Sequence, residues 1–87
     1  MSNSQDRSAV LARIRDIIRV ELRQPDLAIE ESTTAADVTG WDSLTHVQII
    51  IATEKAFGIR LKSFEVAQLE DVGSLVNIAL ARGRIDG

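Results

Sequence analysis

One serine is placed for covalent chemistry. Ser43 follows Gly40-Trp41-Asp42 and opens a segment with helical spacing. At the first position of a helix, unpaired backbone N–H groups and the positive end of the helix dipole favour an anion, so a phosphodiester on the Ser43 oxygen is electrostatically favoured. Ser43, or Asp42 before it, would equally serve as an N-cap, which is the commonest reason for either residue at a helix start. The local sequence alone favours the N-cap interpretation.

Composition removes most other kinds of chemistry. The chain has no cysteine, and His46 is its single histidine. Thiolate metal sites, disulfides and cysteine nucleophiles are therefore excluded, and no second imidazole is present to build a zinc centre. Ser/His/Asp catalysis requires an imidazole in a defined arrangement with a serine and a carboxylate, and the sequence indicates no such arrangement for His46. We expect no metal site, no catalytic residues and no enzymatic activity.

Charge is distributed unevenly along the chain. The net charge is -3, yet residues 1–23 carry five Arg against three acids, while residues 24–54 carry six acids and no Lys or Arg. The middle segment is therefore expected to form an acidic surface that suits a basic partner, or else simply a solvated face. A negative chain with only three aromatic residues is not typical of nucleic-acid binding.

Length and hydropathy favour one small globular domain. With 87 residues, 45% of them hydrophobic and 26% charged, the chain is expected to form a single domain, residues 1–87, around one hydrophobic core. We expect the first few residues and residues 84–87 to be flexible. No apolar stretch is long enough to cross a bilayer and the first residues do not resemble a secretory signal, so we expect a cytoplasmic protein without membrane insertion.

The elements that position Ser43 are predicted to be four helices, three main ones and a short third, forming an all-α bundle. The first runs from about Asp6 to Leu22, with Ser4 or Asp6 as its cap, and Pro25 prevents its continuation. A long loop follows and reaches Asp42. Apolar residues in this loop should hold it against the bundle. They are Leu27, Ile29 and Val38.

The remaining boundaries follow from turn and cap residues. The second helix is predicted from Ser43 to about Phe57, with Gly58 in the left-handed position after its end. An extended link leads to a brief third helix through residues 64–69, with Ser63 as its possible N-cap. Asp71 is expected to cap the last helix, which Gly83 ends.

The second predicted helix carries two apolar faces, although a helix in a small bundle packs only one face on the core. One face consists of Ile49, Ile50, Ala56 and Phe57. The other consists of Leu44, Val47 and Ile51. We expect the first face to be buried, which leaves the second exposed beside Ser43 as an apolar stripe for another protein. The alternative is that the long loop folds over this apolar stripe and buries it.

The motif around Ser43 resembles that of a known family. Gly40-Trp41-Asp42-Ser43-Leu44, followed by Val47, Ile50, Glu54 and Phe57-Gly58-Ile59, is similar to the signature of acyl carrier proteins, in which a D-S-L triplet opens the second helix. The family is a four-helix bundle of about this length, with a long first loop, a short third helix and a V-G step that Val72-Gly73 matches. The likeness covers nearly the whole chain.

This resemblance implies a carrier without catalysis. Ser43 would bear a 4'-phosphopantetheine arm, which a phosphopantetheinyl transferase transfers from coenzyme A. The thiol at the end of the arm would hold an acyl group as a thioester. Asp42 would support the modification by helping to position metal and phosphate in the transferase complex. A monomer would then present the arm to acyl-loading and acyl-processing enzymes of fatty-acid, polyketide or other specialised acyl metabolism. The residues expected to dock these partners are Leu44, Val47, Gln48, Ile51 and Glu54.

Departures from the family pattern concern the second helix. Carriers of the primary fatty-acid pathway place several carboxylates along this helix, whereas Glu54 is here the only acid on a face that it shares with Thr45, Gln48, Thr53 and Lys55. Steering by charge should therefore be weaker, and a dedicated partner is suggested. His46 is expected to be a half-buried structural residue. Trp41 should pack the loop against the bundle or line the approach to the arm. The alternative function is a helical interaction module that binds a partner through the apolar stripe and never receives the arm.

Overall fold

The computed structural model describes residues 7–82, and all regular structure in that range is helical. It confirms the predicted all-α bundle of three main helices and one short third helix. The helices are α1 (Arg7–Leu22), α2 (Ser43–Phe57), α3 (Ser63–Ala67) and α4 (Val72–Arg82). A single 3₁₀ turn, Ala35–Asp37, interrupts the long loop between α1 and α2. The proposed cap of α1 at Ser4 or Asp6 and the proposed end of α4 at Gly83 lie outside the described residues.

The core forms where α1 meets α2 and α4. Phe57 and Ile49 of α2 are at most 1% exposed, as are the inward residues of α1, which recur every four positions. Such packing of apolar stripes is what holds helices of this length, which are marginal by themselves. The contiguous apolar cluster consists of Val10, Ile14, Ile18, Ile29, Ile49, Ile50, Phe57, Ile59, Val72, Leu75, Val76 and Ala79.

Local backbone chemistry ends α2 as predicted. Gly58 has φ of 67° in the left-handed region, where a side chain is disfavoured, and the Ile59 N–H donates to the Glu54 carbonyl at 3.0 Å. The Glu54 carboxylate also accepts the Leu61 N–H at 2.7 Å. Glu54 thus accepts two hydrogen bonds, which together fix the direction of the chain as it leaves the helix.

The short helix α3 corrects one prediction. Ser63 is not the N-cap but the first helical residue, and Lys62 occupies the cap position. Two bonds hold this start: the Glu65 carboxylate accepts the Lys62 N–H at 2.9 Å, and the Glu65 N–H, which a cap side chain would otherwise accept, donates to the Lys62 carbonyl at 2.9 Å. Arg82 of α4 bonds to the Glu65 carboxylate and to the Arg60 carbonyl, which ties α3 and its preceding link to the last helix.

The long loop is held at the N-terminus of α4. The first two N–H groups of α4 donate to loop carbonyls, Val72 to Thr33 at 2.9 Å and Gly73 to Glu31 at 2.8 Å. A Cβ on Gly73 would lie 3.2 Å from that Glu31 oxygen, so glycine permits the close approach. The predicted cap is confirmed, because Asp71 Oδ1 accepts the Ser74 N–H at 2.9 Å. Helix α4 therefore positions the loop that leads to Ser43.

Candidate functional site

Asp42 and Ser43 take different roles at the start of α2. Asp42 has extended backbone angles and its side chain accepts the Thr45 N–H at 2.9 Å, so Asp42 is the N-cap. Ser43 is the first helical residue and is exposed. The sequence left the cap role open between the two residues, and the geometry assigns it to Asp42. The Ser43 hydroxyl is thus available at the surface of the positive end of the helix.

The carboxylate of Asp42 is a stable negative charge beside Ser43. The Thr45 backbone N–H, which donates to it, lowers the pKa of Asp42 below its ordinary value of 3.8. Asp42 therefore remains ionised throughout the neutral range. A carboxylate at this position can attract a divalent cation that is carried in with a phosphate group.

The apolar stripe is exposed along α2. Leu44 is 68% exposed, Val47 52% and Ile51 45%. On the opposite face of α2, Ile49, Ile50 and Phe57 are buried as predicted, whereas Ala56 is only partly buried. The long loop does not cover the stripe, so the alternative in which it does is wrong. Gln48, which was grouped with the stripe, is also exposed. Three branched side chains on successive turns form a surface that a partner could dehydrate.

Glu54 differs from the other residues predicted to dock partners. Its side chain is half-buried, and one carboxylate oxygen is occupied by the Leu61 N–H. The charge therefore lies at the end of α2, beyond the stripe, where it also has a structural task. Lys55 beside it is exposed.

Trp41 and His46 form a hydrogen-bonded pair on either side of Ser43 in the sequence. Trp41 Nε1 donates to His46 Nδ1 at 3.1 Å, and the ring centroids are 6.1 Å apart. Both rings are half-buried. Since Nδ1 accepts this bond, a neutral His46 carries its proton on Nε2. The half-buried position predicted for His46 is confirmed, and Trp41 both packs against the core and lines a pocket.

That pocket is small and lies between α2, the long loop and the start of α4. Its volume is about 40 Å³. Its walls are Thr33, Ala35, Trp41, His46, Ile49, Ile50, Leu69, Glu70, Asp71, Val72 and Leu75. The sequence analysis missed the contributions of Thr33, Ala35 and Leu69, because nothing in helical periodicity indicates which loop residues reach a helix. The V-G step at the start of α4 was the available signal, since it marks a close approach.

Two further features are absent from residues 7–82. No group of three or more His, Asp or Glu residues there is arranged to hold a metal ion. None of the helices in that range has the length and apolar character that a membrane span requires.

Comparisons with known proteins place this site in context. The family model described as "Phosphopantetheine attachment site" matches residues 12–79, which is most of the chain and includes Asp42 and Ser43. The chain belongs to the acyl carrier protein family. Its cofactor is accordingly a covalently attached phosphopantetheine.

Curated acyl carrier proteins and a solved structure are similar over most of their length. Identity to the acyl carrier protein of Clostridium acetobutylicum is 32%, covering 78% of this chain and 88% of that one. Identity to the acyl carrier protein of Saccharopolyspora erythraea is 28%, covering 86% of this chain and 79% of that one. A holo acyl carrier protein from Geobacter metallireducens, solved by NMR, superposes with a TM-score of 0.78 at 26% identity, covering 84% of each chain. The present chain is thus an acyl carrier with the family's helical fold.

Proposed function

We propose that Ser43 is the residue that bears the phosphopantetheine arm and that Asp42 supports its attachment. The observation that carries this proposal is the division of roles at the start of α2, where Asp42 caps the helix and Ser43 is exposed. The hydroxyl can therefore be modified without the loss of a helix cap. The positive end of α2 favours the phosphodiester that results.

The residues present fit the group. A phosphate on Ser43 would lie at the N-terminus of a 15-residue helix, and the carboxylate of the preceding residue, Asp42, is already occupied in part by the Thr45 N–H. When bound, the arm supplies a thiol that holds an acyl group as a thioester. This chain orients the attachment point, presents the docking surface and has no catalytic activity of its own.

Partner enzymes are proposed to dock on the apolar stripe and its rim. Leu44, Val47 and Ile51 provide the apolar contacts, Gln48 an uncharged polar rim and Glu54 a charge at the far end. The partners are a phosphopantetheinyl transferase and the enzymes that load and process the acyl group, in fatty-acid, polyketide or other specialised metabolism. We also propose that the carrier is a monomeric single domain and acts in the cytoplasm, where coenzyme A is available.

Intact mass tests the attachment residue. The protein is incubated with coenzyme A, Mg²⁺ and a broad-specificity phosphopantetheinyl transferase. Wild type should gain one phosphopantetheine group, and Ser43→Ala none. Ser63→Ala is the matched control, because Ser63 is also an exposed first residue of a helix, and it should be modified like wild type.

Either of two results would overturn the proposal. Full modification of Ser43→Ala would place the arm elsewhere. No modification of a wild-type sample shown to be folded by circular dichroism would favour a module that binds partners through the apolar stripe without an arm.

A further inference from the structure

The sign of the charge changes abruptly at the end of α2. Residues 24–54 carry six acids and no Lys or Arg, whereas residues 55–64 carry Lys55, Arg60 and Lys62 and no acid. All three cations are exposed. The end of α2 and the link after it therefore form a basic patch, which neither the attachment of the arm nor the apolar stripe explains.

The basic patch adjoins the apolar stripe. Ile51, the last residue of the stripe, lines an open groove together with Lys55 and Arg60. Ile51 and Lys55 are four residues apart in α2, so their side chains are neighbours on successive turns of one face. A partner surface that covers the stripe as far as Ile51 therefore meets Lys55 and Arg60 as well.

The acids near the patch are engaged by the fold. Glu54 accepts the Leu61 N–H at 2.7 Å. Glu65 accepts the Lys62 N–H at 2.9 Å and is also bound by Arg82. These carboxylates stabilise the link and α3, and Glu65 offsets part of the charge of Lys62.

The two cations that line the groove are not engaged in this way. Within residues 7–82, the side chains of Lys55 and Arg60 form no salt bridge and no hydrogen bond. Both are exposed and long enough to move toward an incoming surface. Their charges are therefore available to a partner.

The docking surface thus has ends of opposite charge. Asp42 lies at the start of α2 and Lys55 in its last turn, about 20 Å apart along the helix at 1.5 Å per residue. Charges interact over only about 8 Å at physiological ionic strength, so the two ends act as separate patches. The negative end lies beside Ser43 and the positive end beyond Ile51.

We propose that Lys55 and Arg60 select partner enzymes whose docking surface carries carboxylates next to its apolar contacts. The inference rests on the proposed function, since it requires partners to dock on the apolar stripe. Complementary charge speeds the encounter of two surfaces, and like charges oppose it. An enzyme with a basic surface at this position, as suits a carrier with an acidic second helix, is therefore disfavoured.

A charge exchange between carrier and enzyme tests the proposal. The probes are a malonyl transferase that serves an acidic carrier of the primary fatty-acid pathway, and a variant of it in which the basic residues of its carrier-binding surface are replaced by Glu. Transfer of malonyl to free pantetheine checks that both enzymes are active. All carriers are converted to the holo form first, and intact mass confirms the product.

The two carriers should prefer opposite enzymes. Wild type should have the lower KM with the Glu-substituted enzyme, and the double variant Lys55→Glu/Arg60→Glu the lower KM with the parent enzyme. Two exposed ion pairs together change affinity by roughly two- to tenfold, so KM should change by that factor, with kcat little altered. The preference should fade at about 0.5 M salt, because exposed charges are screened.

The matched control is Arg23→Glu. Arg23 is exposed, follows α1 and lines a different groove, and its replacement changes the net charge as much as either single reversal does. Lys55→Glu and Arg60→Glu should each shift KM toward the parent enzyme, whereas Arg23→Glu should behave like wild type. Circular dichroism confirms that each variant is folded.

Three results would overturn the inference. These are the same enzyme preference in wild type and the double variant, an equal effect of Arg23→Glu and Lys55→Glu, or a wild-type dimer in sedimentation that Lys55→Glu dissociates. The last result would assign the basic patch to a second copy of this chain. If the holo mass never forms, it is the attachment at Ser43 that has failed instead, and intact mass separates that outcome from the others.

Discussion

The carboxylate of Asp42 accepts the backbone N–H of Thr45 at 2.9 Å, across the residue that is proposed to be modified. One side chain thus caps α2 and places a negative charge beside Ser43. The two tasks require different properties, because capping needs only an acceptor oxygen whereas attraction of a metal ion needs the charge. Substitutions can separate them.

Asp42→Asn should leave the fold intact and slow the modification. Asparagine caps helices about as well as aspartate, so the melting temperature should change little, whereas Asp42→Ala should lower it by a few degrees. Both variants should be modified more slowly by the transferase at limiting Mg²⁺, as followed by intact mass over time. A wild-type rate for Asp42→Asn would show that the charge has no part in the modification.

Leu44→Ala and Val47→Ala should weaken productive encounters with a partner enzyme. A minority of interface residues, clustered near the centre, cost more than about 1 kcal/mol on truncation, which is roughly fivefold in affinity. If Leu44 and Val47 lie at that centre, KM for the carrier should rise by roughly three- to tenfold with kcat little changed. Val20→Ala is the matched control, since Val20 is 70% exposed but lies on α1. An equal rise in KM for Val20→Ala would place the docking surface elsewhere.

The two phenylalanines should differ sharply in their effect on stability. Phe57 is 1% exposed in the core and Phe64 is 60% exposed on α3. Phe57→Ala should lower the free energy of unfolding by about 3–5 kcal/mol, a large part of the total for a small domain, and Phe64→Ala by less than about 0.5 kcal/mol. Urea denaturation followed by circular dichroism measures both. Similar losses would contradict the described core.

The contribution of the Glu31 carboxylate to the stability of the fold should disappear at acidic pH. Its hydrogen-bonded ion pair with Arg7 lowers the pKa of the Glu31 carboxyl below its ordinary value of 4.5. A lowered pKa stabilises the fold fully above pH 4.5, and this stabilisation is lost as the pH falls through the lower folded value. Glu31→Gln should therefore melt slightly below wild type at pH 7 and equally at about pH 2.5.

The effect will be small because both side chains are partly exposed and screened. Glu30→Gln serves as the control, since Glu30 is exposed and forms no salt bridge within the described part of the chain, and it should melt like wild type at both pH values. A difference between Glu31→Gln and wild type that persists at pH 2.5 would exclude the ion pair as its source.

Much of the fold was predictable because its boundaries depend on local chemistry. Gly58 and Asp71 act within one turn of their own positions, and the two faces of α2 follow from a fixed rotation per residue. The choice between Asp42 and Ser43 as N-cap was not predictable, because both residue types accept the same bond. Ser63 was misassigned for a related reason, since Glu65 satisfies the Lys62 N–H from inside the helix.

Features that depend on distant parts of the chain were not predicted. Thr53 was placed with Gln48 and Lys55 on the face of α2 that meets partners, which is wrong, because Thr53 is fully buried. Its hydroxyl donates to the Ile49 carbonyl at 2.8 Å, and this bond within the helix allows a polar side chain to lie in the core. The pocket walls from Thr33 and Leu69 depend on how the long loop meets α4. The contacts that build the pocket join residues tens of positions apart, which periodicity does not detect.

The backbone N–H groups of Val72 and Gly73, which donate to the Thr33 and Glu31 carbonyls, report on movement of the long loop relative to α4. An amide proton exchanges with solvent only when its bond opens, so these two amides exchange when the loop separates from α4. Their protection therefore measures the free energy of loop opening separately from that of global unfolding.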